Sequence, residues 1–92
     1  MNDIAIRHSR MRNRFETEVD GHAGYVEYAL EGGTMAIVHA IVPEAIGGRG
    51  IAGQLVRAAV EHAQAEGLKV APRCSYAATW MDRHPEFAGL RV

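Results

Sequence analysis

A chain of 92 residues with 48% hydrophobic and 23% charged side chains has enough apolar surface for one domain around one core. At this length folding hides roughly 60–70% of the unfolded surface, without a metal or disulfide staple. A formal net charge of −1 creates no whole-molecule field that would recruit nucleic acid or an anionic membrane. The single cysteine, Cys74, excludes an internal disulfide, and no apolar run resembles a signal peptide or approaches the ~18 residues of a membrane span. The expectation is a cytoplasmic protein.

The N-terminus is electrostatically lopsided: Arg7, His8, Arg10, Arg12 and Arg14 fall between Asp3 and Glu16 with no acid among them. Such a run suits RNA or the phosphates of a nucleotide cofactor, but also an edge strand that charge guards against self-pairing. Residues 14–19 alternate, with Phe15, Thr17 and Val19 on one face and Glu16 and Glu18 on the other. Asp20-Gly21 is a two-residue turn signal. Residues 24–30 then set Val26, Tyr28 and Leu30 against Tyr25, Glu27 and Ala29, and Gly32-Gly33 marks a second turn. The apolar run from Thr34 to Val42 reads as a buried central strand stopped by Pro43, which completes a three-stranded antiparallel meander.

After Gly50 the period changes. Ala52, Leu55, Val56, Ala59 and Ala63 form a helical stripe opposite Gln54, Arg57, Glu61 and Gln64, with Gly67 as the stop. Leu68–Ala71 is a short strand closed by Pro72, and a strand-helix-strand unit implies a right-handed crossover and parallel pairing. Ser75 can cap a last helix over 76–83, which must end near His84 because Pro85 follows. The expected fold class is therefore α+β with a mixed sheet.

The most informative segment runs from Val42 through Gly47, Gly48, Arg49, Gly50 and Ile51 to Ala52. A buried strand enters a glycine-rich turn that opens directly into the long helix, and no Ser, Thr, Asp or Asn stands between Ala45 and Ala52 to cap it. The first N–H groups of that helix point outward with the positive end of its dipole, where phosphate oxygens or solvent would satisfy them. On pattern alone the turn reads as an anion site or as a plain tight turn. It is neither a nucleotide P-loop, lacking Gly-Lys-Ser/Thr, nor a dinucleotide fingerprint, since Gly53 falls five residues after Gly48.

Gly48-Arg49-Gly50-Ile51-Ala52 after a strand resembles the pyrophosphate-binding motif of the GNAT (GCN5-related) acetyltransferases. The stretch Val42–Phe87 resembles a small one-domain branch of that family, through Pro72-Arg73-Cys74-Ser75-Tyr76 and His84-Pro85-Glu86. The resemblance implies acetyl-CoA or coenzyme A in a splay between the long and the short parallel strand. The pyrophosphate would rest on Gly47, Gly48, Arg49, Gly50, Ile51 and Ala52, with pantetheine along Ile41 and Val42. It also implies departures. Ala45 stands where the family usually has Gln or Arg, while Cys74 and Met81 replace an Asn and a general-acid Tyr. The paired helices and terminal hairpin that usually wall the acceptor site are missing, which implies an open groove suited to a peptide end, a lysine or a polyamine.

Three residues are candidates for catalysis, each with a structural alternative. Cys74 falls where a strand meets a helix start, beside Arg73, so it is either an activated thiol, as nucleophile or acid/base, or a small packed residue. Tyr76 is either the acid that protonates the leaving thiolate or one half of a packed pair with Trp80, four residues on. His39, with Ile37 and Ile41 expected on its face, is either the base that accepts the amine proton or a hydrogen-bonded core histidine. Glu27 is a polar strand residue that could bind an amine acceptor or simply face outward. His22, His39, His62 and His84 lack metal-ligand spacing. The expected function is N-acyl transfer from acetyl-CoA to an amine the sequence does not identify. A non-catalytic CoA-binding module is the alternative, and an RNA-associated role for the arginine-rich N-terminus is a third reading. Nothing in the sequence sets the oligomeric state.

Overall fold

The computed structural model describes residues 4–92. The elements follow in the order β1 (Arg7–Ser9), β2 (Arg14–Val19), β3 (His22–Glu31), β4 (Thr34–Ile41), α1 (Ile51–Ala65), β5 (Lys69–Pro72) and α2 (Ser75–Asp82). Short 3-10 turns occupy Glu44–Ile46 and Pro85–Leu90. The five strands form one sheet in chain order, antiparallel from β1 to β4 and parallel between β4 and β5. The expected mixed sheet is present, with β1 added at its edge and every strand boundary within two residues or so of the one the pattern suggests.

The turns explain the register. Asp20 (φ 51°) and Gly21 (φ 79°) both adopt the left-handed region, the requirement of a two-residue hairpin whose twist matches its strands. With that turn fixed, Phe15 pairs with Val26 and Thr17 with Gly24, and all four face the helices. Thr17 is the one buried polar residue of the described core, and its hydroxyl donates to the Ala5 carbonyl at 2.7 Å. The β3–β4 ladder slips at one point: Glu27 pairs with His39 but Tyr28 pairs with Ile37, which leaves Val38 as an extra residue on β4.

Helix α1 buries Ile51, Leu55, Val56, Ala59, Val60 and Ala63 against the sheet. Ala52, expected on that stripe, is only half-buried. The helix stops as the glycine predicts: Gly67 (φ 71°) donates to Gln64 O, and Leu68 donates to Ala63 O at 2.8 Å, a Schellman closure. Helix α2 begins one residue earlier than expected, and its cap is the Cys74 sulfur, which accepts from Ala77 N–H at 3.4 Å; Ser75 is already helical. Trp80 does not stack on Tyr76. It stacks on His84 at 3.7 Å, whose Nδ1–H donates to the Trp80 carbonyl at 2.7 Å and so closes the helix end. Both helices cover the same face of the sheet over a core that includes Val26, Met35, Ile37, Leu55, Val60 and Val70. Among the described residues the other face carries no helix.

Candidate functional site

The parallel pair β4–β5 holds only from Thr34–Lys69 to Ile37–Pro72. Pro72 ends the short strand, and the next two amides, Arg73 N–H and Cys74 N–H, both donate to the Ile37 carbonyl, at 2.9 and 3.1 Å. The chain then turns away into α2. Beyond Ile37, β4 runs on through Val38–Ile41 with no strand beside it on the β5 side. The sheet is thus parted at Ile37, and Cys74 stands at the vertex of the gap.

At the far end of β4, Pro43 and the 3-10 turn lead to Gly48 (φ 75°) and Gly50 (φ 75°). Gly50 is the N-cap of α1; no side chain bonds the first helical amides, and the first turn holds no acid. A Cβ built on Gly48 or Gly50 would meet nothing within 4 Å, so the backbone there borders open space. That space is a cleft of about 260 Å³ lined by Val42, Gly47, Gly48, Gly50, Ile51 and Ala52, all singled out by sequence. Ile46, fully buried, forms its floor, and Tyr76 of α2 closes its other side. Tyr76 is 42% exposed, and its hydroxyl lies 3.4 Å from where a Cβ on Gly53 would be. A single methyl there would fill the remaining space against the α2 tyrosine, and anything larger would push it away. An uncapped helix start, two left-handed glycines and an apolar-walled cleft fit a pyrophosphate with an extended thioester-bearing arm.

Not every candidate gathers at this cleft. Arg49 points away from it and donates to Asp20 at 2.7 Å, which ties the turn to the β2–β3 hairpin. Nothing in the sequence signals that pairing across 29 positions. Ile41 and His39 lie on the other face of the sheet. The extra residue at Val38 breaks the alternation that would put His39 with Ile37: Ile37 is buried beneath the helices, while His39 is exposed opposite Glu27. Val42 lines the cleft, whereas Ile41 is 45% exposed on the open face. The structure therefore sets Tyr76 and the glycine turn on the helix side, His39 and Glu27 on the open side, and Cys74 at the gap between them.

Of the arginine-rich N-terminus only Arg14 reaches these residues, through Glu27. β1 pairs at the sheet edge remote from the gap, and its residue His8 packs against His62 near the C-terminal end of α1, away from the glycine turn. Arg7 and Arg12 lie beside Glu16, and Arg14 beside Glu27. β1 is the edge strand of the sheet, and Arg7 and Arg12 stay largely exposed at that edge. Among the described residues no group of His, Cys, Asp and Glu could hold a metal, and no helix is long and apolar enough to cross a membrane.

The profile of a family described as GCN5-related N-acetyl-transferase matches residues 14–90, nearly the whole sheet and both helices. The chain belongs to that family. Among its relatives is Protein NATD1 of Xenopus tropicalis, 32% identical over 85 residues, which span 89% of this chain and 78% of that protein. The fold of this GCN5-related protein also matches the NMR solution structure of a GCN5-like protein from Staphylococcus aureus, with a TM-score of 0.77. That match covers all of this chain and 91% of the other at 24% identity. In this family member five strands and two helices among the described residues carry the glycine turn and the parted strands.

Proposed function

We propose that the chain transfers an acetyl group from acetyl-CoA to the nitrogen of an amine. The observation that carries this reading is the uncapped start of α1 behind Gly48 and Gly50, opening onto a cleft beside two parallel strands that part. Gly47–Ala52 would hold the pyrophosphate through backbone N–H groups and the helix dipole, and Val42, Ile46 and Tyr76 would wall the arm that follows. When bound, acetyl-CoA supplies an activated acyl carbonyl, to which the amine nitrogen bonds as the carbon–sulfur bond breaks and CoA departs as the thiol.

The chain's own residues then have distinct tasks. His39, exposed beside the gap, is placed to take the proton that the amine must lose. Cys74, at the vertex, is placed to give a proton to the departing sulfur, and its partners Ala77 N–H and Ile37 O fix it there. Tyr76 lines the glycine-turn end of the cleft, which suits a hold on the cofactor better than the acid role its motif position suggests. Most of the rate would come from positioning. The burial of Met81 (3% exposed), where the larger family has its acid tyrosine, favours a second reading in which CoA binds without turnover.

Thermal melting tests the binding claim. CoA at a hundredfold excess over its dissociation constant should add about 2.7 kcal/mol of stability. Ala52→Glu separates folding from binding. A carboxylate in the first turn of α1 should leave the free protein as stable or more so, by about 0.3–1 kcal/mol, yet repel the pyrophosphate and abolish the shift. No shift with the unaltered protein at millimolar CoA removes the proposal. Release of free thiol with a panel of amines distinguishes transfer from binding alone.

A further inference from the structure

Two carboxylates of β3 project onto the open face of the sheet, and they are held differently. Arg73 grips Glu31 with both guanidinium nitrogens, at 2.6 and 3.0 Å. Glu27 receives one nitrogen of Arg14 at 3.5 Å, the limit of a hydrogen bond. The Arg14 guanidinium meanwhile lies 3.9 Å above the centre of the Tyr25 ring. Both members of the Arg14–Glu27 pair remain about a third exposed, with side-chain accessibilities of 31% and 34%. A fork–fork pair is geometrically locked, whereas a single long contact between half-exposed groups is readily exchanged. Glu27 therefore has acceptor capacity to spare, on a face that no helix covers.

The location gives that capacity a use. Glu27 stands directly across the ladder from His39, and Tyr25 across from Ile41, beside the gap where β4 has lost its neighbour. We propose that Tyr25 and Glu27 form the seat for a cationic group of the acceptor, and that Arg14 fills this seat in the free protein. The group already there shows what the seat takes: a guanidinium or ammonium over an aromatic face, with a carboxylate alongside. Directly opposed side chains on neighbouring strands have Cβ atoms about 5 Å apart, so a chain of four or so carbons reaches from this seat to His39. The acceptor class is an amine that carries a second cation at its other end. Once displaced, Arg14 keeps Glu16 within its own strand and face, two residues along. This inference deepens the acetyl-transfer reading and rests on it for the reaction, but the seat itself is testable without cofactor.

Agmatine, a primary amine with a distal guanidinium, and pentylamine, which lacks the second charge, are the probes. In NMR titrations of the cofactor-free protein, agmatine should shift the Tyr25 ring and Arg14 side-chain resonances, and pentylamine should not. Arg14→Gln should bind agmatine several-fold more tightly because it removes the resident competitor, and Glu27→Gln should weaken binding about tenfold. With acetyl-CoA present, kcat/KM should favour agmatine over pentylamine by about tenfold, and Glu27→Gln should erase that preference through KM rather than kcat. Equal responses to the two amines, or weaker agmatine binding in Arg14→Gln, overturn the seat. CoA-dependent melting on the same samples keeps the two claims apart: its absence removes the acetyl-transfer reading and leaves the titration to decide the seat.

Discussion

His8 is half-buried among three rings. Its ring stacks on Phe15 at 4.1 Å, meets His62 edge-on at 4.5 Å, and bonds the Tyr28 hydroxyl through Nε2 at 2.6 Å. Burial holds its pKa below the ordinary 6.5, the positive fields of His62 and Arg10 push the same way, and Glu66 opposes them weakly. The unfolded chain therefore binds a proton at a higher pH than the folded one. Stability is full above about pH 6.5 and declines as pH falls below it, towards the lower folded-state value. His8→Phe keeps the stack and removes the titration. The melting temperature of that variant should change less between pH 7.5 and 5.5 than that of the unaltered protein, and an unchanged slope would mean that His8 is not the group responsible. Cys74 offers a second contrast at this scale. Its sulfur is a weak acceptor at an N-cap, so Cys74→Ser should hold or raise stability while Cys74→Ala loses about 1 kcal/mol. If Cys74 also donates the proton to the leaving sulfur, Cys74→Ala loses turnover beyond its stability defect; near-normal turnover in Cys74→Ala assigns it to capping alone.

Two helices meet at Gly53, and the cleft depends on that meeting. Tyr76 and Trp80, one turn apart on α2, both rest over this residue, with the Tyr76 hydroxyl and Trp80 Nε1 at 3.4 and 3.6 Å from the position of a Cβ. Gly53→Val adds three carbons where one would already touch. The expected cost is about 1–3 kcal/mol of overpacking, together with displacement of Tyr76 and weaker CoA binding. Chemical denaturation and the CoA melting shift measure the two effects on one variant. Undiminished CoA affinity in a folded Gly53→Val protein would show that Tyr76 does not belong to the cofactor wall.

Across the molecule, the sequence made the elements legible wherever local chemistry decides them. Asp20-Gly21 demands a hairpin, Gly67 a helix stop and Pro72 a strand end, and the absence of any capping residue before Ile51 leaves the helix start bare. Those are backbone requirements, and they brought the sheet, the crossover and the glycine turn into view. What sequence could not show depends on partners far along the chain. Arg49 bonds Asp20 rather than facing the cleft, and Arg14 covers Tyr25 because the register of β2 on β3 puts it there. Period-two counting sets His39 with both Ile37 and Ile41, but it runs straight through Val38, where no residue type announces a bulge, and only Ile41 shares its face. Tyr76 reads from sequence as an acid or as a pair for Trp80 and not as a wall of the glycine-turn cleft, because helical spacing says which residues share a face and not what that face meets.

Val38 acts on the strand as an inserted letter acts on a reading frame. Upstream of it, odd-numbered positions of β4 such as Met35 and Ile37 are addressed to the helices; downstream, that address passes to Ala40 and Val42, and the odd positions His39 and Ile41 are sent to the opposite side. One residue thus lets a single strand serve as core at one end and as a two-sided wall at the other, with helix-facing and open-facing letters in strict alternation. Removing Val38 should restore a single frame along β4 and send His39 to the helix side, at the cost of the core that Ala40 and Val42 now help to cover.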